Sequence, residues 1–227
     1  HPMTISSSRH LMDSALGVSS SDLTRNEIEI FKPQVLRTYA EHMAPETAYI
    51  KTHECFYPVG KNLYNLPIEK TRATVYIVRN PLDVAPSFAN HLGTTLTKAI
   101  SNLNDDNFAF CKNTTKITSQ HYQFLSSWQE HYFSWKNARS LNVKIVRYED
   151  MLHDPYQTFR EVLHHIGIHD KDDRINKALQ FSSFTELKKQ EEKSGFKEKG
   201  YKGGSFFNKG KSGVGKEVLS DSQIAQI

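Results

Sequence analysis

Residues Tyr76-Ile-Val-Arg-Asn-Pro-Leu-Asp-Val-Ala-Pro-Ser87 decide the fold. An apolar run ends abruptly in Arg79, and Pro81 follows where a first helical turn begins. Ala73 to Val78 is strongly β-prone, and the stretch from Pro81 to about Leu92 reads as a helix that Pro86 should kink. The whole segment is a strand delivering Arg79 to the mouth of a helix. Backbone N–H groups and the positive end of the helix make such a junction a ready anion site. Taken alone, an ordinary strand–helix joint with a surface arginine explains the stretch equally well.

The same alternation extends on both sides. Thr47 to His53 reads as a short strand, and Val143 to Tyr148 as another with Glu149-Asp150 at its end. Asp154-Pro155 opens a helix to about His165, and Pro33 fits the first turn of a helix over Gln34 to Met43. Gln120 to Ala138 reads as one helix carrying a core stripe of Phe124, Trp128, Tyr132 and Trp135. Ser183-Phe-Thr-Glu186 has the form of a capping box, and Ser220-Asp221 caps a last helix. Residues 54–70 look irregular, and 101–118 reads as a long polar loop of the kind that shapes a binding site. Strands alternating with helices predict an α/β fold with a central parallel sheet flanked by helices. Ligands of such sheets sit at the carboxyl ends of strands. Three such ends carry reactive side chains: Lys51-Thr52-His53, Arg79-Asn80 and Tyr148-Glu149-Asp150.

Composition narrows the function classes. The 227 residues are 37% hydrophobic and 24% charged, a globular balance long enough for one α/β core. No run of about 18 apolar residues occurs, so no membrane span is expected. The two cysteines, Cys55 and Cys111, make neither a disulfide framework nor a metal motif. They fit a reducing compartment. The eleven histidines form no zinc pattern, so no metal is expected. A net charge of +4 is too small to argue for nucleic acid. The charge is uneven, however. Lys188 to Lys216 holds nine lysines against three glutamates and seven of the eleven glycines. That segment reads either as a solvated basic tail or as a cationic loop around a phosphorylated ligand.

Four motifs occur in order: Lys51-Thr-His53, Arg79-Asn-Pro-Leu-Asp-Val-Ala-Pro-Ser87, Arg147-Tyr-Glu-Asp150-Met and Phe206-Phe-Asn-Lys-Gly210. Between them lie Ser127-Trp128, His131 and Ser134-Trp135, and Ser182-Ser-Phe184-Thr-Glu-Leu-Lys-Lys-Gln. Together these resemble the sulfotransferases that use 3′-phosphoadenosine 5′-phosphosulfate (PAPS), over roughly residues 47–227. The resemblance implies a single α/β domain of the P-loop-containing nucleotide-binding type, transferring a sulfuryl group to a hydroxyl. It makes His53 the general base and Lys51 its cationic assistant. Arg79 and Ser87 would grip the 3′-phosphate, with Lys209 and Gly210 closing on it. Tyr148 would read the adenine, Phe184 would stack on it, and Ser182 would touch the nucleotide. The product would be adenosine 3′,5′-bisphosphate (PAP), the acceptor a small hydroxyl compound, and the partners neither nucleic acid nor membrane. The chemistry is sound: a guanidinium makes charge-assisted pairs with a phosphate, and a neutral imidazole takes a proton near pH 7.

Two departures stand out. Asn208 replaces the arginine of the family's Arg-Lys-Gly segment. The Pro-Lys-Ser-Gly loop that cradles the phosphosulfate does not occur between His1 and Ile50. The expectation is therefore one domain over residues 1–227, truncated at both ends, without its first strand and phosphosulfate loop. Two other readings stay open. One is a catalytically impaired PAPS- or PAP-binding relative. The other is a P-loop kinase-like phosphotransferase, although Gly204 to Gly210 encloses five residues where a Walker A loop has four.

Overall fold

In the computed structural model, residues 4–43, 47–112, 117–196, 205–207 and 210–227 are described. The elements run in chain order: β1 (Thr4–Ile5), α1 (Arg9–Leu16), α2 (Arg25–Thr38), β2 (Ile50–Lys51), β3 (Pro58–Gly60), β4 (Leu63–Tyr64), β5 (Thr74–Val78), α3 (Pro81–Leu92), α4 (Leu96–Leu103) and β6 (Ala109–Phe110). They continue with β7 (Gln123–Phe124), α5 (Trp128–Lys136), β8 (Val143–Arg147), α6 (Tyr148–His153), α7 (Pro155–His165), α8 (Asp172–Phe181), α9 (Phe184–Ser194), α10 (Val214–Val218) and α11 (Asp221–Ile224). The chain divides into two compact units: His1–Arg72 with Asp105–Asn142, and Ala73–Asn104 with Val143–Ile227.

The first unit pairs β1 with β2 in parallel, Thr4 against Ile50 and Ile5 against Lys51. Helices α1 and α2 pack there through Leu11, Met12, Val35 and Leu36, joined by Ile28, Ile50 and Leu66. The same unit also buries charged side chains. Lys32 is fully buried, and its Nζ sits 2.9 Å from Glu29 Oε1 and 2.8 Å from Glu54 Oε1. The Tyr57 hydroxyl donates to Glu29 and to Glu54, and Ser6 Oγ donates to Glu54 Oε2 at 3.3 Å. Burial alone would lower the Lys32 pKa, but the two carboxylates reverse this and hold it above the usual lysine value. Burial raises the Glu54 carboxyl pKa despite the lysine beside it.

In the second unit β5 and β8 pair in parallel over five residues, from Thr74 against Val143 to Val78 against Arg147. This register brings the Arg79 and Tyr148 strand ends side by side. Parallel pairing thus appears in each unit as a two-stranded piece. Helix α3 occupies Pro81–Leu92 as its sequence predicts, with Asn80 as N-cap, and Pro86 does not interrupt it.

Several local expectations shift. Helix α2 begins at Arg25, because Thr24 and Glu27 form a capping box; Pro33 lies inside it, buried. The burial of Val35 and Leu36 offsets the backbone bond that Pro33 cannot make. The stretch expected as loop from 101 opens inside a helix: Thr95 caps α4, which runs to Leu103 and buries Ala99, Ile100 and Leu103. Residues 54–70 contain the β3–β4 hairpin. Gln120 to Ala138 is not one helix. Gln123–Phe124 pairs as β7 with β6, Ser126 takes a positive φ of 63°, and α5 starts only after the Ser127 cap. Cross-strand pairing outweighs helical periodicity there. Ser183 stands at the N-cap of α9 without a side-chain capping bond.

Two predictions follow from the buried charges of the first unit. Lys32→Ala leaves two carboxylates without their cation and should destabilise the fold by about 3–5 kcal/mol in urea unfolding. His121 is buried, and desolvation, helped by Arg9 and Lys32, pushes its pKa down from 6.5 to about 4. The unfolded chain therefore takes up this proton first as pH falls. The His121 contribution is complete above about pH 6.5 and lost progressively towards about pH 4. Urea midpoints measured across that window should fall less steeply for His121→Leu.

Candidate functional site

In the first unit the site grows from the end of β2. His53 lies two residues past the strand, half-buried like Lys51. Its Nδ1 is 2.9 Å from Gln123 Oε1 on β7, and its ring meets Phe110 edge-on at 6.1 Å. Its backbone carbonyl faces His131 Nε2 at 3.0 Å. A carbonyl only accepts, so His131 carries its proton on Nε2. Burial keeps the His131 pKa below the ordinary histidine value. The next residue, Glu54, is tied by its side chain to Lys32 and by its carbonyl to Trp135 Nε1 at 3.1 Å. The chain on which His53 sits is therefore anchored immediately after it.

The β1–α1 joint adjoins the same strand. Ser6 N donates to Lys51 O at 2.8 Å, Ser8 N to Ile5 O at 3.1 Å and Arg9 N to Ser119 O at 3.0 Å. Ser8 is the N-cap of α1. The turn reads Ser6-Ser7-Ser8, with neither lysine nor glycine.

In the second unit Arg79 leaves β5 with its guanidinium 4.6 Å from the centre of the Tyr148 ring. Its Nη2 donates to Lys211 O at 2.8 Å. Its buried Nε has no hydrogen-bond partner among the described residues. An arginine held by stacking, with a donor to spare beside a glycine-rich loop, suits an anion. Described residues of that loop are held by carboxylates. The carboxylate of Asp83, buried in the first turn of α3, accepts from Gly213 N and Gly215 N, each at 2.7 Å. A Cβ on Gly215 would lie 2.1 Å from Leu82 O. Glu191 on α9 accepts from Ser205 Oγ at 2.8 Å, Phe206 N at 2.7 Å and Phe207 N at 2.9 Å. Gly210 has a φ of +59°, and a Cβ there would fall 2.4 Å from the Phe184 ring. Only glycine lets the loop lie on that ring.

Arg79, Tyr148, Gly210 and Phe184 are thus joined through contacts within one unit. Ser87 is exposed on α3. Ser182 closes α8, and its hydroxyl donates to Ala178 O at 2.8 Å. Lys209 and Asn208 lie outside the described residues. Reading the sequence missed Gln123, Asp83 and Glu191. Asp83 had a signal, an acid in a first helical turn, but its partners lie some 130 residues on. Gln123 had none, since it fell inside an expected helix. Among the described residues, no group of three or more His, Cys, Asp or Glu side chains could hold a metal, and no helix is long and apolar enough to cross a membrane.

The sulfotransferase domain family matches residues 17–227, and the chain belongs to that family. Sulfotransferase 2A6 of Mus musculus is 28% identical over 116 residues, which is 50% of this chain and 38% of that protein. Among solved structures, mouse sulfotransferase SULT7A1 complexed with PAP superposes with a TM-score of 0.61 at 22% identity, over 86% of this chain and 66% of that one. Retinol dehydratase in complex with retinol and PAP gives a TM-score of 0.55 at 20% identity, over 82% of this chain and 52% of that one. These likenesses establish the fold. The chain spans well under half of the curated relative and between half and two thirds of these solved ones.

The loop clamp yields a prediction independent of any ligand. Asp83→Ala removes two charge-assisted bonds and should destabilise the second unit by on the order of 3 kcal/mol. Limited proteolysis should then cut the 205–215 segment faster. Gly215→Ala should act in the same direction, because Leu82 O blocks the added methyl.

Proposed function

We propose that this chain transfers a sulfuryl group from PAPS to the hydroxyl of a small acceptor, in a protein of the cytoplasm, as one domain spanning residues 1–227. What carries the reading is Arg79: stacked on Tyr148, hydrogen-bonded to Lys211 O and keeping a buried Nε for an anion. Its guanidinium and the amides of the Gly210 loop hold the 3′-phosphate. Ser87, whose hydroxyl is exposed, and Lys209 add to that grip, while Tyr148, Phe184 and Ser182 receive the nucleoside. PAPS supplies the activated sulfuryl group when bound. His53 takes the acceptor proton as the new O–S bond forms, and the bond from sulfur to the phosphate oxygen breaks to leave PAP. Lys51 neutralises the charge that gathers on the sulfuryl and leaving oxygens. The PAP-bound fold relatives, one also holding retinol, support both a nucleotide and a small hydroxyl acceptor.

A second reading is a PAP-binding relative that turns over poorly. It is favoured by the β1–α1 turn, where the amides of Ser6, Ser8 and Arg9 are already committed to protein carbonyls. Calorimetry with PAP and sulfuryl-transfer assays with phenolic acceptors separate the two. Arg79→Ala should weaken PAP binding on the order of 100-fold. His53→Ala should lower turnover by about 10²- to 10⁴-fold and leave PAP affinity near wild type. Unchanged PAP affinity in Arg79→Ala refutes the phosphate assignment. Binding without turnover in the wild-type chain selects the second reading.

A further inference from the structure

We infer that Gln123 sets the tautomer of His53, so that its proton resides on Nδ1 and its basic lone pair on Nε2. The inference rests on His53 being the base, and it adds a positioning residue to that assignment. It begins from the 2.9 Å contact between His53 Nδ1 and Gln123 Oε1. An amide oxygen can only accept, so this contact requires a proton on Nδ1. A neutral imidazole has one N–H, which leaves Nε2 as the basic nitrogen.

The orientation of the amide is fixed by what lies on its other side. Gln123 Nε2 donates to Gln120 Oε1 at 2.9 Å and faces Cys111 Sγ at 3.9 Å. Gln120 Oε1 also accepts from Ser7 Oγ at 3.1 Å. Both amide hydrogens of Gln123 therefore point at acceptors, and its oxygen is left for the imidazole. Turning the amide over would set oxygen against oxygen at the Gln120 end unless Gln120 turned too. Gln123 itself is only 2% exposed, which strengthens the bonds it makes.

Structural need does not account for this arrangement. The backbone of Gln123 is already held by the β6–β7 ladder, where it pairs with Phe110. The side chain lies outside that ladder: its oxygen goes to His53 and its amide hydrogens to Gln120 and Cys111. It also links the imidazole to Gln120 and to Ser7 in the β1–α1 turn, beside the Lys51 carbonyl that accepts from Ser6. A change in that turn can therefore reach His53 through three hydrogen bonds. Gln123 is a positioning residue: it acts on the reacting proton through His53.

Nitrogen-15 NMR of the wild-type chain, with histidine labelled and His53 assigned by His53→Ala, tests this at a pH where the imidazole is neutral. The expected spectrum has a pyrrole-type Nδ1 and a pyridine-type Nε2. An imidazole free in water favours the opposite tautomer, so the reverse pattern overturns the inference, whatever the activity. The second arm uses Gln123→Met, which keeps length but offers no carbonyl, and Gln123→Glu, which restores an acceptor. Gln123→Met should move His53 towards the Nε2–H tautomer and lower kcat roughly 10- to 100-fold with little change in KM for PAPS. Gln123→Glu should return the Nδ1–H pattern. A wild-type tautomer in Gln123→Met overturns the role of Gln123. If instead the tautomer behaves as expected while His53→Ala leaves turnover intact, the base assignment fails and the tautomer assignment stands.

Discussion

The ion pair between Lys32 and Glu54 is the constraint on which the first unit turns. A lysine with no exposure is costly to bury, and it is held by carboxylates from its own helix and from the segment after β2. Because Glu54 follows His53 directly, the same bond that settles the charge also fixes the backbone that presents the imidazole. Trp135 locks the carbonyl of Glu54 and His131 locks that of His53. Helices α2 and α5 thus converge on two consecutive residues. Such convergence holds the backbone just past β2 more firmly than a free loop would be held.

The second unit uses a different device to the same end. Its glycine-rich loop has little side-chain bulk with which to hold itself. Two buried carboxylates, Asp83 and Glu191, hold its backbone amides instead. Glycine is required where the backbone lies against Phe184 and against Leu82 O, not simply for looseness. Arg79 is restrained by the Tyr148 face and the Lys211 carbonyl, which sets the direction of its guanidinium. Preorganised donors of this kind lose little entropy on binding.

Much of this was legible from local signals. The proline, caps and apolar run around Arg79 gave β5 and α3 with the right ends, and Asp154-Pro155 gave α7. Those features act within a turn or two of chain. The errors fell where a distant partner overruled the local pattern. Phe124 lies at helical spacing with Trp128 and Trp135, yet residues 109–110 draw it into a strand. Pro33 suggested a helix start, but the Thr24–Glu27 box places the start eight residues earlier.

By itself, the sequence determined which reactive residues stand at strand ends and in what order, because strands, caps and prolines are written in neighbouring residues. Only the tertiary structure decided what those residues touch. His53 meets Gln123 across 70 residues, and Arg79 meets Lys211 across 132. No periodicity encodes such pairs. They arise when separate segments bury their apolar faces and each stranded donor must find an acceptor within about 3 Å.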